Sequence, residues 1–470
     1  MLAAAVLPAA ADASRRLHVD GTRLLDEHGR QVVLHGVNVV YKVPPYHPNG
    51  SQGETTSFDG ADVARLRAWG FNTVRLGLAW KALQPERGPV RRDYVAAIVR
   101  TARLAARGGL WVLVDMHQDE WGEKYRGNGA PEWASLDDGI PFPPASPGHP
   151  YDYAQPAIGR AFTNFYENED GIRDEFVRAF AAVAAELRDE PGILGYDALN
   201  EPACEVAQPP CGVPPAPEAG ARWLEPFYDS LVPALNAADP NHPVFYEDFF
   251  LVYGGYPWTI GQPPYGPWPY TSQGLSYHVY CPHPLRSEED CPTLEREAVA
   301  GAAEQARRTR VFPLLTEFGA TDDLEVLRRV VEFADEAGHG WQYWQYKTYF
   351  DPTTSARTSP GASGDAESMV DESGAVKAEK VAVLARAYPE RIAGSEATWS
   401  FDPDRHALSL RYRAGAREGT VIRLPLAVHY PRGYRVRARG ARVVSRPGAA
   451  RVRLRASRRG KRVSVTVEPR

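Results

Sequence analysis

The sequence predicts an α/β protein: a (β/α)8 barrel followed by a small antiparallel β-sandwich. Over residues 30–385, eight short β-branched or aromatic runs alternate with segments of helical period. Polar and aromatic residues gather at the C-terminal ends of nearly all eight runs. That distribution favours a closed TIM barrel, which places its site there, over an open doubly wound sheet. Beyond residue 391 the pattern changes to alternating polar and apolar positions, the period of strands with one buried face.

The chain begins "MLAAAVLPAAADASRR", a short alanine-rich apolar stretch in which "ADA" at 11–13 fits a small-residue cleavage site. Residues 1–14 therefore read as the remnant of a secretory signal whose basic start is missing, and the expected location is secreted. The expected division is a barrel over residues 15–390 and a sandwich over 391–470. The barrel strands are expected at 32–39, 72–78, 110–117, 192–199, 243–249, 275–280, 311–318 and 340–346. Amphipathic helices are expected at 59–70, 91–109 and 323–338, and a further helix at 375–394. The connections 118–158, 202–220 and 253–271 are long and rich in Pro, Gly and aromatics, and loops of such length usually serve function. Residues 352–368 read as a flexible segment or lid.

Composition excludes several classes. A formal net charge of −5 gives no global reason for nucleic-acid binding. No other segment approaches the roughly 20 apolar residues of a membrane span. The charge is divided unevenly: residues 391–470 hold 20 Lys plus Arg against 5 Asp plus Glu. The expected reading of that excess is a solvated sheet face docked on an acidic barrel. Attraction to anionic lipid or cell-surface polymers is the alternative. Four cysteines form two close pairs, 204 with 211 and 281 with 291, which in an exported chain read as local disulfides. A metal site would want CxxC spacing or more histidine than the single His283 between them. HExxH and GxSxG are also absent, so neither a metal nor another cofactor is expected.

Two glutamates end runs in comparable ways: Glu201 in "ALNEP" on the fourth and Glu317 in "LLTEF" on the seventh. Those strands stand nearly opposite across a barrel mouth, so two inward carboxylates there can face one another over a substrate. Glycosidic bond cleavage needs that arrangement, one carboxyl as acid and the other as nucleophile. A separation of about 5–5.5 Å gives retention of configuration and one of roughly 6.5–9.5 Å gives inversion. Glu247, in "YEDFF", is a third rim carboxylate, with structural pairing the expectation and substrate contact the alternative.

"LNEP" and "TEFG", with "NTVRL", "HGVN", "DMHQDEW" and "SYHVY", resemble the retaining, cellulase-like glycoside hydrolases of family 5 across all eight strands. The resemblance implies Glu201 as acid/base and Glu317 as nucleophile. It implies that Asn200 bonds the sugar 2-hydroxyl, that Arg75 lies beside Glu317, and that His117, His278 and Tyr280 line the site. Trp344 would be the platform under the cleaved sugar. Glu201 would need a raised pKa, expected from the nearby Glu317 anion.

"GVNVVYKVPPY" places Lys42 beyond the first strand, and "DMHQDEWG" places Asp119 two residues past His117. With the trailing sandwich, this resembles the secreted endoglycoceramidases, in which positions matching Lys42 and Asp119 contact sugar hydroxyls. The implied substrate partner is a glycosphingolipid, glycan plus ceramide, with transient contact to a membrane or micelle surface and a monomeric chain. Aromatics in 253–271 and "TYFDP" at 348–352 would line the lipid groove. A family 5 β-glucanase or β-glucosidase acting on soluble substrates, and a non-catalytic glycan-binding barrel, are the competing expectations.

Overall fold

The computed structural model describes residues 16–49, 56–143, 153–262, 268–281, 288–347, 366–415 and 419–470. The expected signal remnant, "TYFDP" and most of the flexible segment at 352–368 lie outside them. Eight parallel strands close into a barrel: His35–Val39, Thr73–Ala79, Trp111–His117, Ile193–Asp197, Val244–Tyr246, Gly274–Val279, Phe312–Phe318 and Gly340–Tyr343. The last pairs with the first, Trp341 opposite His35. Observed strand ends fall inside the expected runs except where a run stopped short, as at Ala79. The eighth stops at Tyr343, where Trp344 leaves the ladder to make a single bridge with Gly319.

Local chemistry starts and stops the surrounding helices. Gly60–Ala68 begins in a capping box, in which Asp59 accepts from the Asp62 backbone and Asp62 returns a bond to Asp59. Leu324–Ala337 is capped by the Asp323 carboxylate and closed by left-handed Gly338. Arg92–Arg107 buries Tyr94, Val95, Ile98, Val99, Ala102 and Ala105, a stripe at helical spacing that faces the barrel. At the N-terminal end of the strands, Leu34, Trp111, Leu113, Leu194, Phe245, Phe312 and Leu314 fill the barrel with a dry plug. Glu317, at the C-terminal end of the seventh strand, lies at the opposite mouth.

The helix expected at 375–394 spans only Ala378–Leu384, because Pro389 cannot continue it and Tyr388–Ile392 is a strand. That strand crosses the expected boundary at 390 and pairs with Gln31–Val32 and with Thr420–Arg423. The resulting sheet has seven strands, in the order Leu17–Asp20, Arg23–Asp26, Gln31–Val32, Tyr388–Ile392, Thr420–Arg423, Arg451–Ala456 and Ala441–Val443. The N-terminal hairpin, expected within the barrel unit, thus belongs to the C-terminal sheets. A second, four-stranded sheet runs Gly394–Asp402, Ala407–Ala414, Arg462–Pro469 and Tyr434–Arg439. Tyr388, Trp399, Leu410, Ile422, Leu454 and Val465 pack between the two.

Barrel and sandwich are pinned by one buried cluster. Arg386 bonds the Asp335 carboxylate at 3.1 Å and the Phe401 carbonyl at 2.9 Å. His35 stacks between Trp341 and Tyr388 and lies 3.2 Å from Asp335. Breaking such a pair by removing one partner costs about 3–5 kcal/mol. Both disulfides form, Cys204–Cys211 and Cys281–Cys291. Among the described residues, no helix is long and apolar enough to cross a membrane.

Candidate active site

The fourth strand ends at Asp197, and the chain reaches Glu201 with a φ of +43°, a left-handed conformation that non-glycine residues rarely adopt. Such strain persists where surrounding bonds over-determine it. The Glu201 N–H donates to the Glu247 carboxylate at 3.0 Å. The Gln118 amide donates to the carbonyls of Asn200 and Glu201 at 2.7 and 3.0 Å. Pro202 keeps its carbonyl bonded to the Phe250 N–H, and the Cys204–Cys211 bridge closes the outgoing loop.

Arg75, from the second strand, is wholly buried and organises the mouth from below. Its guanidinium donates to Asp197 at 2.8 Å, to Asn200 at 2.9 Å, to Glu317 at 2.5 Å and to Asn38 at 3.3 Å. Asp115 and Glu247 lie 3.0 and 3.4 Å away. One cation thus faces four carboxylates. Burial and the neighbouring anions Glu247 and Asp115 push Asp197 up to about 8, although Arg75 pulls the other way. Tyr280 donates to the second oxygen of Glu317 at 2.9 Å.

His278 joins the two glutamates. Its Nδ1 is 2.9 Å from Glu201 Oε1 and 3.6 Å from Glu317 Oε2, and its Nε2 is 3.4 Å from Glu247. Ligand-capable atoms of Glu201, His278 and Glu317 all lie within 4.8 Å of one another. One oxygen of Glu201 thus lies within 4.8 Å of one oxygen of Glu317, so the two carboxylates share one site. Burial alone would lower His278, but Glu247, Glu317 and the bond to Glu201 raise it well above the ordinary imidazole range. Glu201 is raised above the usual carboxyl value, chiefly by burial; His278 opposes this and Glu317 adds to it. The expected direction holds, but its main cause is desolvation and not the Glu317 anion.

Lys42, Asp119, His117 and Trp344 form a second group beside the first. Lys42 Nζ lies 2.8 Å from Asp119 and 4.4 Å from the Trp344 ring centre. His117 bonds Asp115 at 2.8 Å, approaches Asp119 at 3.5 Å and stacks on Trp344 at 5.3 Å. Burial would lower His117, yet the two aspartates push it up to about 9. Burial would raise Asp119, but Lys42 and His117 hold it well below its ordinary value. The Trp344 indole N–H bonds Glu367 at 2.9 Å, which fixes the ring plane. All ten expected residues thus meet at one mouth.

Four contributors carried no such expectation. Gln118 sits inside the quoted "DMHQDEW" but has no chemistry of its own to advertise. Asp115 and Asp197 are acids inside apolar strands, and period-two spacing puts Asp115 on the same side as His117. Glu367 follows an irregular stretch, and nothing in the sequence ties it to Trp344. Glu247 is fully buried and bonds Glu201, Tyr253 and Ser276, the structural pairing expected for it. Glu201, His278 and Glu317 have the spacing of a metal-ligand set, but a divalent ion there would face the buried Arg75 cation.

Residues 25–349 match the family model described as cellulase (glycosyl hydrolase family 5), and residues 386–467 match the glycoside hydrolase family 5 C-terminal domain. The chain is 31% identical to endoglycoceramidase I of Rhodococcus hoagii, over 92% of this chain and 84% of that protein. It is 29% identical to an endoglycoceramidase of Hydra vulgaris, over 88% and 81%. Endo-glycoceramidase II from Rhodococcus sp., in a cellobiose-like imidazole complex, superposes with a TM-score of 0.77 at 26% identity, covering 96% of this chain and 100% of that one. The same enzyme has been solved as a lactosyl–enzyme intermediate and with ganglioside GM3. Two family models, one over the barrel and one over the sandwich, with relatives matched over more than four-fifths of their length, fix the assignment: the chain belongs to glycosyl hydrolase family 5.

Proposed function

We propose that the protein is a secreted, monomeric, retaining endo-glycosidase that hydrolyses the β-glycosidic bond between oligosaccharide and ceramide in glycosphingolipids. The observation that carries the chemistry is the pair Glu201 and Glu317, on the fourth and seventh strands, with oxygens within 4.8 Å. Similarity to endoglycoceramidases over 84% and 81% of their lengths supports the substrate class. Transient contact with a membrane or micelle surface belongs to the same reading, since such a substrate is embedded in one.

Glu317, held in place by hydrogen bonds from Arg75 and Tyr280, attacks the anomeric carbon. Glu201, whose acid form burial favours, gives its proton to the departing ceramide oxygen. Its Oε1 accepts from His278, which leaves the other oxygen to carry the transferable proton. Once Glu317 is esterified its negative charge is gone, and one of the influences that raise Glu201 disappears. Glu201 then takes a proton from water, which hydrolyses the ester. Asn200 contributes its second amide N–H to the sugar 2-hydroxyl, Lys42 and Asp119 clamp neighbouring hydroxyls, and Trp344 supplies the apolar floor.

The test is incubation with a ganglioside and, separately, with carboxymethylcellulose. Free oligosaccharide together with ceramide is expected from the first. Glucan cleavage without ceramide release would overturn the assignment in favour of a soluble β-glucan substrate.

A further inference from the structure

The sandwich ends in an edge whose charge nothing among the described residues neutralises. Tyr434–Arg439 is the outer strand of the four-stranded sheet, and Ala441–Val443 is the outer strand of the seven-stranded one. Only Gly440 separates them. Its φ of +82° turns the chain from one sheet to the other, and a Cβ there would lie 2.4 Å from the Arg462 carbonyl oxygen, so the corner requires glycine.

Arg439, Arg442, Arg453, Arg455 and Arg458 gather about this corner, all exposed. Arg442 stands directly opposite Arg455 across the strand pair. The Ser457 N–H and hydroxyl both bond the Gly440 carbonyl, which brings Arg458 to the same place. Among the described residues none of the five forms an ion pair. Like charges directly opposite in a sheet destabilise it, so this arrangement costs the fold something it does not recover internally. Docking on an acidic barrel does not account for them either. The arginines that reach the barrel are others: Arg386 bonds Asp335, and Arg423 bonds the Arg67 carbonyl.

The same edge ends in two exposed valines. Val443 and Val444 are 41% and 45% exposed, and among the described residues only Val213 and Val376 match them as exposed large apolar side chains. The Val444 N–H bonds the Arg453 carbonyl at 2.8 Å, so the pair is fixed beside the arginines. Charge alone would protect a sheet edge from unwanted pairing. It gives no reason for two valines in water at the end of that edge. A soluble polyanion gives none either, whereas a bilayer offers phosphate for the arginines and an acyl boundary for the valines.

We propose that this edge docks the protein on anionic lipid bilayers. The bilayer surface attracts the arginines, and Val443 and Val444 enter the headgroup boundary. The surface lies outside the catalytic mouth, and vesicles without glycosphingolipid test it independently of the substrate assignment.

The experiment is co-sedimentation of the whole protein with vesicles of phosphatidylcholine alone and of phosphatidylcholine mixed with phosphatidylserine, beside binding to heparin as a soluble polyanion. Wild type should bind only the mixed vesicles and be released by salt. Arg442→Gln with Arg455→Gln should bind them about thirtyfold more weakly, near fivefold for each charge removed. Val443→Ser with Val444→Ser should also weaken vesicle binding while leaving heparin binding and the salt dependence unchanged. Turnover of a soluble aryl glycoside should stay at the wild-type value in both variants, and the thermal midpoint should not fall in either, rising slightly where the opposed arginines are removed. Equal binding to phosphatidylcholine vesicles, or vesicle binding indifferent to the two valines, would overturn the proposal.

Discussion

Replacing Arg75 by lysine isolates what the buried guanidinium contributes. Six groups lie within 3.4 Å of it: Asp197, Asn200, Glu317, Asn38, Asp115 and Glu247. A lysine ammonium keeps the charge but has three donors, not five, and no planar fork. At least three contacts are lost, among them at least one to a carboxylate, because four of the six groups are carboxylates. With the bond to a carboxylate at about 1.5–3 kcal/mol and two bonds to neutral acceptors at about 0.5–1.5 kcal/mol each, the loss is about 2.5–6 kcal/mol. Against a total stability of about 5–15 kcal/mol this is readily measured. Urea unfolding at neutral pH gives it directly as the drop in extrapolated stability at constant slope. Because Arg75 is fully buried, the kinetic loss should fall on kcat through a misplaced Glu317, with KM little changed. A stability loss below about 1 kcal/mol, the size of one ordinary hydrogen bond, would refute the view that the fork geometry and not the charge alone holds the site.

Glu317→Gln should abolish turnover and form no covalent adduct visible by mass spectrometry. Glu201→Gln should lose about 10²–10⁴ in rate on the natural linkage yet still accumulate a glycosyl adduct from a substrate with a good leaving group; the opposite pattern would exchange their roles. His278→Asn removes an influence that lowers Glu201, so the Glu201 acid form should persist to higher pH. The alkaline limb of kcat/KM should move up, and a downward move would contradict the arrangement. Glu247→Gln should slow breakdown of the glycosyl–enzyme more than its formation, read as a larger burst in rapid-mixing kinetics. Lys42→Met should cost about 3 kcal/mol at neutral pH. Asp119 is held low in the folded protein, so its contribution is present above the ordinary carboxylate range and lost as the pH falls through its depressed pKa. The gap between wild type and this variant should therefore close with acidification, which urea unfolding across pH will show.

The barrel was legible because eight buried parallel strands leave a periodic apolar signature that survives in one sequence. The rim was legible because Asn, Glu and Pro in succession have no reason to end a core strand otherwise. What stayed hidden was pairing at a distance. Arg75 reads as one residue beside Glu317, and nothing in "NTVRL" says that it also faces Asp115, Asp197 and Glu247. The strand at Tyr388–Ile392 was obscured for a related reason. "AVKAEKVAVLARAYPERIAG" has helical composition at its start, and only the partner strands Gln31–Val32 and Thr420–Arg423, far off in sequence, decide its end. Trp344 was found by its neighbours in the motif, whereas Glu367, which fixes its plane, lies beyond an irregular segment where spacing carries no information.

In the proposed cycle, Glu247 shows how a residue without contact to the reacting atoms can still set its course. His278 is raised by Glu247 and Glu317 together, and Glu201 is lowered by His278 and raised by Glu317. When Glu317 becomes an ester, its influence leaves both groups at once. Left alone, His278 would then tend to lose its proton at the stage when Glu201 must be a carboxylate. Glu247, 3.4 Å from His278 Nε2, is not consumed in either half-reaction, and it is itself held below its ordinary value, where burial is outweighed by His278 and Arg75. That favours the Glu247 anion, which in turn favours a charged His278, and a charged His278 favours ionised Glu201. The acid form in the first step rests chiefly on burial and the base form in the second on His278. The fully buried third carboxylate thus lets one side chain serve both steps.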